Sequence, residues 1–193
     1  MAKLLISITQ LINMVVWRIL YFRKTTTQVN DKSSVKGVRL IASNHSHEID
    51  PFILISFLPI RTFFRIFPFK FMTANVYYYR WWKPFLWLAG GFPASQKNRR
   101  QSSSKYGVGA SRKFLSKGYS VIIFPEGKRT RSPLPARSGI KYILHNLSTE
   151  ILLVKITEKN KSFRIIYSPA TRKLNRDDPQ EIIDAVYKLS NQD

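Results

Sequence analysis

Cysteine is absent from the 193 residues, which removes disulfides, thiolate nucleophiles and cysteine-ligated zinc and is compatible with a cytosolic face. Histidine is scarce: three residues are present, His45 and His47 lie two apart, and nothing near them completes a ligand set, so no metal is expected. Acidic side chains are few as well. Eleven Asp and Glu stand against 32 Lys and Arg, a formal net charge of +21. An imbalance of that size implies an anionic partner: nucleic acid, an anionic membrane surface or an acidic carrier molecule. No helix-turn-helix, zinc-finger or aromatic RNA-binding signature is found, so no nucleic acid is expected. The charge instead accompanies an apolar leader and a dense aromatic belt.

The leader runs from Leu4 to Phe22. Leu4, Leu5, Ile8, Leu11, Ile12, Val15, Val16, Ile19 and Phe22 fall on one side at helical spacing, with Ser7, Thr9, Gln10, Asn13 and Arg18 on the other. At about 1.5 Å per residue the segment reaches roughly 28 Å, barely a hydrocarbon core, and Arg18 with two amides makes spanning costly. An amphipathic helix lying in a membrane interface is the expectation, against the plainer one that it packs on the domain. No signal-peptide cleavage pattern is apparent. Arg23 to Lys36 is polar and without apolar period, so residues 1–34 read as helix plus linker and 35–193 as one catalytic domain. Between Arg61 and Leu88, twelve aromatic residues alternate with Arg61, Arg65, Lys70, Arg80 and Lys83. Amphipathic rings among cations suit an anionic membrane interface, while ordinary core burial should claim about half of the rings.

The stretch richest in chemistry is Ser43-Asn44-His45-Ser46-His47-Glu48-Ile49-Asp50-Pro51. Val38, Leu40, Ile41 and Ala42 read as a strand before it. Asp50-Pro51 ahead of Phe52-Ile53-Leu54-Ile55 reads as a helix start, with Asp50 at the N-cap and Pro51 at the first helical position. Residues five apart on one continuous helix point away from each other, but a turn brings them together. An imidazole that gives one N–H to a carboxylate keeps its other nitrogen as a proton acceptor, the base and orienter of a catalytic triad. The same spacing often arises by chance, with the acid serving only as a cap. A second stretch, Val121-Ile122-Ile123-Phe124-Pro125-Glu126-Gly127-Lys128-Arg129-Thr130-Arg131, carries a strand into a cationic loop. Ligands gather at the carboxyl ends of strands in open α/β sheets, and a guanidinium such as that of Arg129, with Lys128 or Arg131 beside it, suits phosphate.

Asn44-His45-x-x-x-x-Asp50 followed by Phe124-Pro125-Glu126-Gly127-x-Arg129-Thr130 resembles the first and third sequence blocks of the glycerolipid acyltransferases, the family of 1-acylglycerol-3-phosphate acyltransferase. The resemblance covers Val35 to about Tyr167. It implies a peripheral membrane O-acyltransferase of phospholipid biosynthesis. Such an enzyme moves a fatty acyl chain from acyl-CoA or acyl-carrier protein to a lysophospholipid hydroxyl, 1-acylglycerol-3-phosphate giving phosphatidate, without further cofactor. By the same resemblance His45 and Asp50 are catalytic. Glu126, Gly127 and Arg129 bind the acceptor's glycerol-phosphate portion, with Lys128, Asn44 and Arg99 assisting, on the cytoplasmic face of a membrane. Two departures leave the acceptor open. The glycine-led block Gly90 to Gln96 ends in glutamine, followed by Lys97, Arg99 and Arg100, where the family has an arginine; Glu150 to Ile156 lacks the prolines of the fourth block. Glycerol-3-phosphate or a lyso-amino-lipid are alternative acceptors, and a non-enzymatic basic membrane- or nucleic-acid-binding protein is the alternative outside catalysis.

The remainder predicts helices over Ser102–Lys117 and around Ile140–Leu147, with His145 a surface or capping residue, and strands over Tyr119–Phe124, Glu150–Ile156 and Ser162–Tyr167. Gly107 and Gly109 fit the first helix only if it starts late or a close neighbour needs the room. A last helix follows Asp178, with Glu181 reaching back to the cap, and no catalytic duty is expected of it. Alternating strands and helices predict a single-domain α/β sandwich around a mixed, largely parallel sheet.

Overall fold

The computed structural model describes residues 1–29, 38–95, 105–130, 132–144, 150–168, 174–175 and 177–189. Seven strands, β1 (Thr25–Val29), β2 (Val38–Ser43), β3 (Phe69–Thr73), β4 (Gly91–Pro93), β5 (Ser120–Ile123), β6 (Glu150–Lys159) and β7 (Ser162–Ser168), form one sheet in the order β1-β7-β6-β2-β5-β3-β4. Every neighbouring pair is parallel except the β6–β7 hairpin, so the sheet is mixed and mostly parallel, as the sequence predicts. The helices are α1 (Ala2–Tyr21), α2 (Asp50–Phe57), α3 (Ile60–Ile66), α4 (Asn75–Tyr78), α5 (Lys83–Leu88), α6 (Lys105–Ser116), α7 (Gly139–Leu144) and α8 (Pro179–Lys188).

Strands buried on both faces need apolar residues at nearly every position, which is how β2 and β5 read. Ile41, Ile122, Phe69, Phe71 and Val154 pack on one face with α2 and the inner residues of α1. Leu40, Val121, Ile123 and Leu153 pack on the other with α6, α7 and α8. Leu40 pairs with Val121 and Ala42 with Ile123, so β2 and β5 end side by side. That register brings together two loops some eighty residues apart in sequence.

The leader helix forms as expected, with its sides assigned unusually. Leu4, Leu5, Ile8, Ile12, Val15, Val16 and Ile19 are exposed, while Ile6 and Gln10 are buried and Leu11, Met14, Trp17 and Tyr21 pack on the core. Gln10 pairs with the backbone of Phe69 in both directions (2.8 and 3.0 Å) and also donates to the Ala89 carbonyl. Gly90, at φ +103°, leaves room for it; a Cβ there would lie 2.5 Å from the Gln10 amide nitrogen. Arg18 donates to the carbonyls of Ser56 and Leu58 at 2.5 and 2.6 Å, a cation on the last turn of α2. Gln10 and Arg18 thus face the domain together with Ile6, Leu11, Met14 and Trp17, and most of the apolar stripe faces outward.

Two expectations need correction here. The stretch read as a linker from Arg23 to Lys36 opens with a 3-10 turn (Phe22–Lys24) and β1, which pairs in parallel with β7 from Thr25 opposite Phe163 to Val29 opposite Tyr167. Strand pairing by a polar segment needs only a free sheet edge, which β7 offers. Glu181 does not close on its own cap. Asp178 caps α8 by accepting from the Gln180 N–H, and the Glu181 carboxylate accepts from Asn175 instead. Of the belt aromatics, Phe63, Phe69, Phe71 and Tyr78 are buried, while Phe64, Trp81, Phe85 and Trp87 are exposed. A Cβ on Gly107 would meet Met72 at 2.8 Å, the close neighbour that its place in α6 requires. His145 lies outside the described residues.

Lys70 is a cation in the core, 2% exposed, with the rings of Phe114, Tyr119 and Trp87 around its ammonium at 5.0, 5.6 and 5.9 Å. Among the described residues no carboxylate pairs with it. Burial pushes its pKa down from 10.5 to about 8. Between those values the unfolded chain binds a proton that the folded chain lacks, so stability rises with pH across that window, and the full cost of the buried ammonium is present below it. Lys70→Met should therefore stabilise the protein by about 1–2 kcal/mol at pH 7, allowing for cation–π contacts and solvent screening. Thermal melts should show the gain shrinking from pH 8 upward.

Candidate active site

The turn after β2 and the loop after β5 rise from the same edge of the sheet. In the turn, His45 Nδ1 lies 2.9 Å from Asp50 Oδ2, and the same oxygen accepts from the backbone N–H groups of Ser46 and His47 at 2.7 Å each. Asp50 is 0% exposed. It is not the N-cap expected of it: Ile49 holds that place, and Asp50, the first residue of α2, turns its carboxylate back over the preceding turn. The unpaired N–H groups of a tight four-residue turn are stronger claimants than those of a helix whose second position is proline. With Nδ1 donating to Asp50, Nε2 is left as the proton acceptor. The ring stacks on Phe124, centroid to centroid 4.1 Å at 22°, which fixes its plane.

The second loop closes on the first through the backbone. Thr130 N–H donates to the His45 carbonyl at 2.8 Å, and one Glu126 oxygen lies 3.4 Å from His45 N. The other Glu126 oxygen accepts from the Tyr187 hydroxyl at 2.6 Å and from Leu134 N–H at 3.2 Å. Both sequence blocks therefore meet around one imidazole. The model of the Acyltransferase family matches residues 24–157 of the chain. The protein belongs to that family.

As a fold, this acyltransferase is similar to the 1-acyl-sn-glycerophosphate (LPA) acyltransferase PlsC from Thermotoga maritima, whose crystal structure superposes with a TM-score of 0.54 over 95% of this chain and 76% of that one. At 14% identity the likeness is one of architecture. The mixed sheet flanked by helices and the apolar N-terminal helix agree with it.

The acyltransferase's remaining site residues divide by what they touch. Glu126, expected to hold the acceptor, is 1% exposed and its oxygens are engaged by Tyr187, Leu134 and His45 N, so it ties α8 and two loops together. Asn44 is likewise a clamp: its amide donates to the Ile156 carbonyl at 2.8 Å and accepts from Ile156 N–H at 2.7 Å, fixing the end of β2 to β6. Gly127, at φ +68°, carries the loop round; a Cβ would stand 2.9 Å from Arg137 Cγ. Lys128 and Arg129 are exposed beside it. Arg99 lies outside the described residues, as do Gln96, Lys97, Arg100 and Arg131.

Arg129 has partners outside the fixed positions of the two sequence blocks. Its guanidinium pairs with Glu48 and donates to the Tyr77 hydroxyl at 3.0 Å, and that hydroxyl donates to Glu48 at 3.0 Å. The Tyr77 hydroxyl and then Arg129 hold the Glu48 carboxyl below its ordinary value, so it stays a carboxylate throughout the neutral range. The spacing of Ile182, Ile183, Val186 and Tyr187 gives α8 a buried stripe, and the sequence alone assigns Tyr187 nothing more. A tyrosine in such a stripe still needs a partner for its hydroxyl, and that was the available signal. Burial first, and then Glu126, push its pKa well above the usual value, so it remains a donor.

Proposed function

We propose that this acyltransferase moves a fatty acyl chain from a thioester to the hydroxyl of a lysophospholipid, with 1-acylglycerol-3-phosphate as acceptor and phosphatidate as product. The observation that carries the reading is the His45–Asp50 pair, Nδ1 to Oδ2 2.9 Å, beside a loop bearing Lys128 and Arg129 at the same sheet edge. His45 Nε2 takes the proton of the acceptor hydroxyl as its oxygen attacks the thioester carbonyl. Collapse of the tetrahedral intermediate expels the thiolate, which is protonated by the imidazolium. Asp50 holds the ring and offsets its transient charge, and a general-base role is worth about 10² to 10⁴ in rate. The acceptor's phosphate exchanges with Glu48 for the Arg129 fork.

The outward apolar side of α1 and the exposed Phe64, Trp81 and Phe85 support attachment to an anionic membrane, with α1 lying in the interface; in this reading the enzyme works on the cytoplasmic face. An apolar face of this kind delivers a lipid acceptor that water does not carry.

The test is a panel of acceptors (lysophosphatidate, glycerol-3-phosphate and a lyso-amino-lipid) with acyl-CoA or acyl-carrier protein, products read by mass spectrometry. Phosphatidate should dominate. Glu48→Gln should lower the KM for lysophosphatidate two- to about fivefold, the range set by an exposed ion pair. Absence of acylated lipid from every acceptor, or preference for an acceptor without phosphate, would overturn the proposal.

A further inference from the structure

A groove lined by Arg23, Lys24, Lys155, Lys159 and Arg164 runs across the face of β1, β6 and β7, and among the described residues no Asp or Glu lines it. Alternation along the strands explains why the cations collect there. Lys155 and Lys159 share one face of β6, Arg164 shares the corresponding face of β7, and Leu152, Val154, Ile165 and Tyr167 occupy the opposite face under α1 and α2. Lys155 donates to the Tyr187 carbonyl at 2.8 Å and Arg164 to the Gln28 amide at 3.0 Å, so two of the five are already held in place. Among the described residues no carboxylate pairs with any of them. The hydroxyls of Thr26, Thr157 and Ser162 stand between the charges. Cations interleaved with short hydroxyl donors match phosphate oxygens.

The position is as informative as the composition. Ile156 is bound to Asn44, the residue before His45, so the groove's end of β6 is level with the catalytic turn. Phe163, next to Arg164 on β7, sends its ring to the opposite face, where it meets the rings of Tyr21 and His47 edge-on at 5.8 and 6.4 Å. The sheet therefore offers His45 two approaches at one edge. The side covered by α1 is apolar outward, and the side with the groove is cationic and open to water.

We infer that this groove docks the phosphates of a nucleotide-linked acyl thioester, coenzyme A, so that the donor reaches His45 from the water side while the lipid acceptor arrives from the α1 side. The inference rests on the acyl-transfer reading for the donor's chemistry. A concave site with hydroxyls among the charges fits a compact polyphosphate better than the broad face of an acidic carrier protein.

Titration calorimetry on the whole protein with unacylated coenzyme A tests the groove without turnover. Lys159→Glu/Arg164→Glu should weaken binding at least tenfold and raise the KM for acyl-CoA with little change in kcat. Lys113→Glu/Lys117→Glu, on and just after the exposed last turn of α6, makes the same charge change and should leave affinity within about twofold. Dephospho-coenzyme A should bind more weakly than coenzyme A, and inorganic phosphate weakest. Equal losses in both double variants, unchanged affinity in the first, no coenzyme A binding by the wild type, or binding of acyl-carrier protein alone would each overturn the assignment. If coenzyme A binds in the groove but no thiol is released with any acceptor, the groove stands and the transferase proposal fails. If thiol release proceeds and the groove variant keeps its KM, the reverse holds.

Discussion

His45→Ala should lower thiol release from an acyl thioester in the presence of lysophosphatidate by about 10³-fold or more, and Asp50→Asn by about 10²-fold or more. The two losses have different origins. Alanine at 45 removes the proton acceptor but keeps the backbone contacts that hold the turn, namely the Thr130 N–H on the His45 carbonyl and the His45 N–H facing Glu126. Asparagine at 50 keeps an oxygen for the Ser46 and His47 N–H groups but deletes the negative charge and places an amide where a carboxylate fixed the imidazole. Both proteins should show unchanged circular dichroism, which separates lost chemistry from lost folding. Wild-type rates in both would remove the pair from the mechanism.

Ile8→Asp/Ile12→Asp on the outward side of α1 should reduce co-sedimentation with anionic phospholipid vesicles by at least a hundredfold. Ile8 and Ile12 are 47% and 58% exposed, one helical turn apart, and neither belongs to a core cluster. Each isoleucine withdrawn from a lipid interface forfeits about 1.5–3 kcal/mol, and two together exceed the roughly 2.7 kcal/mol that a hundredfold change represents. Stability in solution should stay within about 0.5 kcal/mol, since neither site is a packed one. Binding of the wild type should weaken with salt, because Arg61, Arg65, Arg80 and Lys83 flank the exposed aromatics and each basic group near an anionic surface adds about 1 kcal/mol. Unchanged sedimentation of the aspartate variant would transfer docking to some other surface.

Much of this architecture could be read before any coordinates, and the reasons differ by element. β2 and β5 are apolar at successive positions because both of their faces are covered, and Gly118, Asp178 and Pro179 mark element ends by their own backbone chemistry. The pairing of His45 with Asp50 followed from a turn between a strand and a helix. What could not be read was direction. Periodicity along α1 identifies an apolar stripe but not which way it faces, and only the partners of Gln10 and Arg18 decide that. β1 escaped because Thr-Thr-Thr-Gln-Val carries no alternating pattern; its reason for being a strand lies 138 residues later in β7, where Thr25 meets Phe163. Glu126 and Arg129 drew attention as charges at a strand end, but Tyr187, Leu134, Glu48 and Tyr77 compete for them, and those partners lie on other segments.

The pairing of β1 with β7 bears on where this chain tolerates being cut. A version beginning at Val35 would keep every residue of the His45–Asp50 turn yet leave the outermost rung of the ladder vacant over five consecutive residues. The ring of Tyr21, 5.8 Å from that of Phe163, and Trp17, stacked on Phe52 at 5.6 Å, would be stripped away with it. Such a fragment would carry an open strand margin beside a bared aromatic floor, the combination from which intermolecular strand addition starts.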